Sequence, residues 1–115
     1  MSAEGRRPGG IALRVALVTS IFGLHELRQA RALRARGLAP VVVAPFGVRA
    51  GADPAWGEFP LLDLGPAWEA ARRERRIPLP AHAAALRETL AGAGVRSVQA
   101  GWLQNDGLVC ALAGV

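Results

Sequence analysis

Two short apolar runs, Leu13–Thr19 and Pro40–Ala44, flank twelve residues with no proline, glycine or β-branched side chain, His25–Arg36. Runs that are mostly apolar, rather than alternating, suit strands covered on both faces, as in a parallel sheet. The stretch between them is rich in Ala, Leu, Arg, Glu and Gln, all favourable in a helix. Leu27, Ala30 and Leu33 recur at three-residue steps and form one apolar stripe. Arg28, Arg31 and Arg34 run beside it and read as a solvated face. Gly37 then stands where a left-handed residue ends a helix. Strand, helix and strand within about 30 residues make a βαβ unit, whose crossover closes right-handed.

The rest of the chain extends this pattern. Pro45–Glu58 is punctuated by proline and glycine and has no periodicity. Phe59–Leu64 reads as a third, weaker strand, and Pro66–Arg76 as a short helix or an ordered loop that Pro78 and Pro80 close. Ala81–Ala93 is a second clear helix, and Val95–Ala100 a fourth strand. Gly107–Ala113 is a final helix that Asn105 or Asp106 caps through a side-chain oxygen. The order predicts an α/β fold: an open, doubly wound, Rossmann-like, mostly parallel sheet. Residues 1–10 are expected to be a flexible tail, and residues 11–115 a partial Rossmann-like domain. The last helix ends where such a pattern calls for another parallel strand, so the expectation is the front part of a longer chain.

Composition narrows the function classes. The longest apolar runs are about five residues, against the roughly 20 that a membrane-spanning helix needs. Arg14 interrupts Ile11–Val18, so no signal-peptide core follows the N-terminus. The single cysteine, Cys110, excludes an internal disulfide framework and a multi-cysteine zinc site. The expected location is cytoplasmic. Net charge is +5 and every basic residue is arginine. Arginine, alanine, glycine and proline all use GC-rich codons, so the excess is permissive rather than diagnostic. It allows peripheral contact with an anionic membrane; Arg72–Arg76 reads as a solvated face, with an acidic-lipid contact as the alternative. No nucleic-acid partner is expected, because aromatic interleaving and a groove-reading helix motif are missing.

Ligands of such sheets sit at the carboxyl ends of the strands, which singles out the connections Thr19–His25 and Gly101–Gly107. The first has one glycine and the chain has no lysine, so neither a dinucleotide fingerprint nor a P-loop is present. The free N–H groups of the following helix still offer an anion a place. Ser20, Gly23 and His25 are the candidates here; His25 reads either as an acid–base or phosphate contact or as an exposed first-turn histidine. In the second connection the candidates are Trp102, Gln104, Asn105 and Asp106. Trp102 reads either as a stacking surface for a sugar or base or as a cap on the core. His82, at the start of its helix, reads as bland, and two histidines without matched carboxylate spacing make no metal site. Cys110 reads as a small hydrophobe on a helix face with Leu108, Val109 and Leu112. Trp56 and Trp68 read as packing for irregular segments.

Three stretches together resemble the N-terminal domain of a GT-B fold, family-4 type glycosyltransferase. They are Val15–Ser20 with the helix Gln29–Gly37, the strand Pro40–Pro45, and the strand–loop–helix block Val98–Gly114. Leu64–Trp68 also fits the middle region of some members. Gly23 stands alone where many members have a glycine pair, and Gln99 and Gly101 stand where many have histidines. The resemblance implies a retaining transferase that moves a sugar from a nucleotide-sugar donor to an acceptor hydroxyl, without a bound metal or other cofactor. It implies that this domain forms the acceptor-side wall of a cleft, while a C-terminal donor-binding domain, absent from the 115 residues, holds the nucleotide-sugar. No catalytic residue is assigned, and the chain alone is expected to be inactive. The alternative is a small Rossmann-like or flavodoxin-like module that binds a nucleotide or a partner without catalysis.

Overall fold

The computed structural model describes residues 13–100 and 107–114. Four parallel strands, β1 (Arg14–Val18), β2 (Ala39–Ala44), β3 (Leu61–Asp63) and β4 (Ser97–Ala100), form one sheet in the order β3-β2-β1-β4. Helix α1 (Leu24–Ala35) links β1 to β2. A 3-10 turn, Pro54–Glu58, precedes β3, and α2 (Gly65–Glu74) and α3 (Leu79–Gly92) lead to β4, with α4 (Leu108–Ala113) after it. The fold is therefore an α/β Rossmann-like arrangement with an all-parallel sheet.

The two faces of the sheet carry separate cores. Leu17, Val42 and Ala44 pack with Leu27 and Ala30 of α1 and with Phe22, Trp56 and Phe59. Ala16, Val18 and Val43 point the other way, onto Leu64, Ala83, Leu86, Leu90, Val109 and Ala113. This follows from strand geometry, since neighbouring residues face opposite sides, and it explains why both runs are apolar from Val15 to Val18 and from Pro40 to Ala44. Handedness places the helices. The chain moves one way from β1 to β2 and β3, then reverses across the sheet to β4. Crossovers of one hand must then put α1 on one face and α2 and α3 on the other, as observed.

Helix ends follow local chemistry. Gly37 has φ +85°; its N–H donates to the Arg34 carbonyl and that of Leu38 to the Leu33 carbonyl, the paired bonds of a Schellman end. Proline marks starts rather than stops. Pro66 lies in the first turn of α2 and Pro80 in the first turn of α3, where a missing N–H costs nothing. This corrects the expectation that Pro80 closes the preceding segment: α3 begins at Leu79, two residues before Ala81. The face of α4 also differs from expectation. Val109, Cys110 and Ala113 are buried, whereas Leu108 and Leu112 are about half exposed, because residues 109 and 113 share a helical stripe that 108 and 112 do not.

One close backbone approach makes a specific demand. Gly47, at φ +100°, lies against Gly65 at the start of α2, and a Cβ on Gly65 would stand 2.9 Å from the Gly47 Cα and 3.0 Å from Asp63 Oδ1. Asp63 Oδ1 meanwhile accepts the Gly65 N–H at 2.8 Å. Gly65→Ala is expected to lower stability by about 1–3 kcal/mol through this overpacking. Gly57→Ala, with nothing within 4 Å of the added carbon, should change it little. Urea unfolding of both variants is the check.

The arginine face of α1 is only partly free. Arg31 and Arg34 both reach Glu58, with N–O distances of 2.5 and 2.9 Å, and the Arg34 guanidinium lies 4.8 Å from the Phe59 ring centre. Hydrogen bonds from Arg31, then Arg34, hold the Glu58 carboxyl at about 2, down from its ordinary 4.5. A depressed carboxyl stabilises the fold above the unfolded value and loses that contribution as pH falls toward the folded one. The thermal midpoint of the parent should therefore exceed that of Glu58→Gln at neutral pH. The gap should close between about pH 4.5 and pH 2; a gap constant down to pH 2 would contradict the pairing.

Candidate functional site

Because β4 lies on the other side of β1 from β2, the direction of winding reverses between β1 and β4. A crevice opens at the carboxyl ends of the strands at such a point. A cleft of about 800 Å³ lies here, lined by Ser20, Ile21, Phe46, Arg49, Trp68, Leu79 and Leu108. These residues come from the connections after β1 and β2 and from α2, α3 and α4.

The connection after β1 is shaped by Thr19. Its side chain is fully buried, and its Oγ1 accepts the N–H groups of Ile21 at 3.2 Å and Phe22 at 3.3 Å. That tight hydroxyl-closed turn forces Phe22 to φ 55°, the left-handed region that bulky residues avoid. Packing holds it there. The Phe22 ring meets Trp56 edge-on at 5.1 Å, and Trp56 Nε1–H donates to the Phe22 carbonyl at 3.2 Å. Strain of this kind, compensated by surroundings, concentrates at ligand sites. Here it directs Ser20 and Ile21 toward the cleft.

The start of α1 is chemically different from an open phosphate cradle. Glu26, in the first turn, is buried at 8% exposure, and a Cβ on Gly23 would stand 2.8 Å from its Oε2. The carboxylate thus folds back beside Gly23, where its charge suits the positive end of the helix. An incoming anion would meet a negative group at the place expected to attract it.

The opposite wall is aromatic. Phe46 and Trp68 meet edge-on at 4.9 Å, and the His82 ring lies 5.0 Å from Trp68 and 5.6 Å from Phe46. His82 is 1% exposed. Its Nε2–H donates to the Pro45 carbonyl, which places the ring proton on Nε2; its Nδ1 has no partner among the described residues. His82 is therefore a buried support beside the cleft wall.

Of the sequence candidates, Ser20 lines the cleft, while Gly23 and His25 stand at the start of α1 and are not among its lining residues. His25 is exposed. Trp102, Gln104, Asn105 and Asp106, with the capping role expected of Asn105 or Asp106, lie outside the described residues. The structure adds Arg49, Phe46 and Trp68. Trp68 had a legible signal, since Pro66 at a helix start places residue 68 on α2. Arg49 had none, because it sits in an aperiodic loop between Gly47 and Gly51.

The described lining supplies one hydroxyl, one guanidinium and five apolar groups. Such a set binds and orients a ligand; it contains no acid–base pair. Among the described residues no three His, Cys, Asp or Glu side chains are grouped as metal ligands, and no helix is long and apolar enough to cross a membrane. Compared with known protein families, curated proteins and solved structures, the chain matches none.

Proposed function

We propose that this chain forms the acceptor-side wall of the cleft in a retaining, nucleotide-sugar-dependent glycosyltransferase of GT-B type, with the donor held by a second, C-terminal domain. The observation that carries the reading is the position of the cleft. It opens at the switch between β1 and β4, and its lining includes Ser20, from the first stretch on which the resemblance rests, and Leu108, from the last. The Glu26 carboxylate beside Gly23 favours the same side, since it disfavours a donor phosphate at the start of α1. An aromatic and apolar lining with a few polar groups is also the usual make-up of a small-molecule site.

The test is a calorimetric titration of the 115-residue chain with UDP, GDP and ADP, beside transfer assays on the complete gene product. The reading expects no saturable binding to the chain alone below about 1 mM, and sugar transfer by the complete product with at least one donor. Micromolar nucleotide affinity in the chain alone would replace it with the nucleotide-binding module.

A further inference from the structure

Among its described lining residues the cleft carries one charge, on Arg49, and one indole, on Trp68, and their pairing limits what it takes. Arg49 is the single ionisable side chain among the described lining residues, and among the described residues no carboxylate pairs with it. Trp68 is half-buried and packs against Phe46, itself a lining residue, and against His82. Ile21, Leu79 and Leu108 complete an apolar lining, with Leu108 49% exposed. Guanidinium groups favour phosphate and carboxylate through their planar fork, and a tryptophan face favours flat rings.

We infer that the cleft binds a small amphipathic anion, a ring or short apolar body carrying one phosphate or carboxylate, with the acid on Arg49 and the body against Trp68. This deepens the proposed function by naming the chemical class of the acceptor, and it rests on that reading only for the word acceptor; the binding itself does not. A neutral ring leaves Arg49 unpaired, and a bare anion leaves the apolar lining wet. Each half alone therefore binds weakly.

The test follows amide and indole NMR shifts of the 115-residue chain titrated with phenyl phosphate, inorganic phosphate and phenyl glucoside. Phenyl phosphate is expected to bind at least about tenfold more tightly than either of the others, shifting the Trp68 indole signal. Arg49→Gln and Trp68→Leu should each weaken it by about tenfold, one charge-assisted hydrogen bond or one stacking contact being worth about that factor. Arg28→Gln removes the same charge from an exposed arginine outside the cleft and should leave the affinity unchanged. Equal weakening by Arg28→Gln and Arg49→Gln would reduce the effect to the net charge of +5 and overturn the inference. So would inorganic phosphate binding as tightly as phenyl phosphate. A dihexanoyl phosphatidic acid monomer, compared with vesicles of a long-chain phosphatidic acid, separates a lipid source from a soluble one: competition with phenyl phosphate by the monomer supports a lipid-derived acid in the cleft, and vesicle binding that survives Arg49→Gln opposes it. None of these outcomes depends on nucleotide or transfer activity, so failure here and failure of the glycosyltransferase reading are separable.

Discussion

Replacing Trp56 by alanine is expected to cost about 3–5 kcal/mol, a large part of the 5–15 kcal/mol that typically holds a domain together. Trp56 is 8% exposed and belongs to the core between α1 and the sheet, with Leu17, Leu27 and Val42. Its removal takes away the ring that meets Phe22 edge-on and leaves the Phe22 carbonyl without its donor. Phe22, at φ 55°, then has less to hold it in an unfavourable conformation. The loss should therefore reach the cleft. Hydrogen exchange at the Ile21 and Phe22 amides, both bonded to Thr19 Oγ1, should accelerate more than exchange in β2. Trp56→Phe keeps a ring and loses the N–H, so about 1–3 kcal/mol is expected from the unpaired carbonyl. Urea unfolding gives both values. An alanine variant within about 1 kcal/mol of the parent would mean that the 3-10 turn is not part of this core.

How much of this was legible in advance depended on whether a residue's role was local. The βαβ start was readable because apolar runs and helix formers follow one another without interruption, and Gly37 ended α1 by a mechanism that needs only its neighbours. The third strand was readable but weak; Leu61 is 45% exposed, as an edge strand allows. Long-range contacts were not readable. Arg31 and Arg34 looked like part of a solvated face because Glu58 lies 27 and 24 residues away in sequence. His82 looked bland because its one acceptor, the Pro45 carbonyl, is 37 residues distant. Phe46 and Arg49 joined the site through the path of a loop that has no periodicity. The start of α1 was legible as a position but only partly as chemistry: Glu26 was visible three residues after Gly23, the spacing of a first-turn acid, and its carboxylate stands beside the place an anion was expected to use.

His82→Ala should cost about 3 kcal/mol or more, and it tests whether the cleft wall depends on a side chain that does not line it. Two effects add. Loss of a fully buried ring leaves a cavity, worth about 2–5 kcal/mol for side chains of similar volume. The Pro45 carbonyl also loses its donor, and an unpaired buried acceptor costs about 1–3 kcal/mol; collapse of the cavity or entry of water offsets part of the sum. His82→Phe separates the terms. It restores a ring beside Phe46 and Trp68, removes the unpartnered Nδ1 and still leaves the carbonyl unpaired, so about 1–2 kcal/mol is expected. If the imidazole holds the wall in place, the alanine variant moves the Trp68 indole NMR signal and weakens phenyl phosphate binding, while the phenylalanine variant retains both. If Trp68 were fixed by α2 alone, its signal and the affinity would survive in both variants although stability fell. That result would confine His82 to the core and leave the geometry of the cleft to Phe46 and the close approach of Gly47 to Gly65.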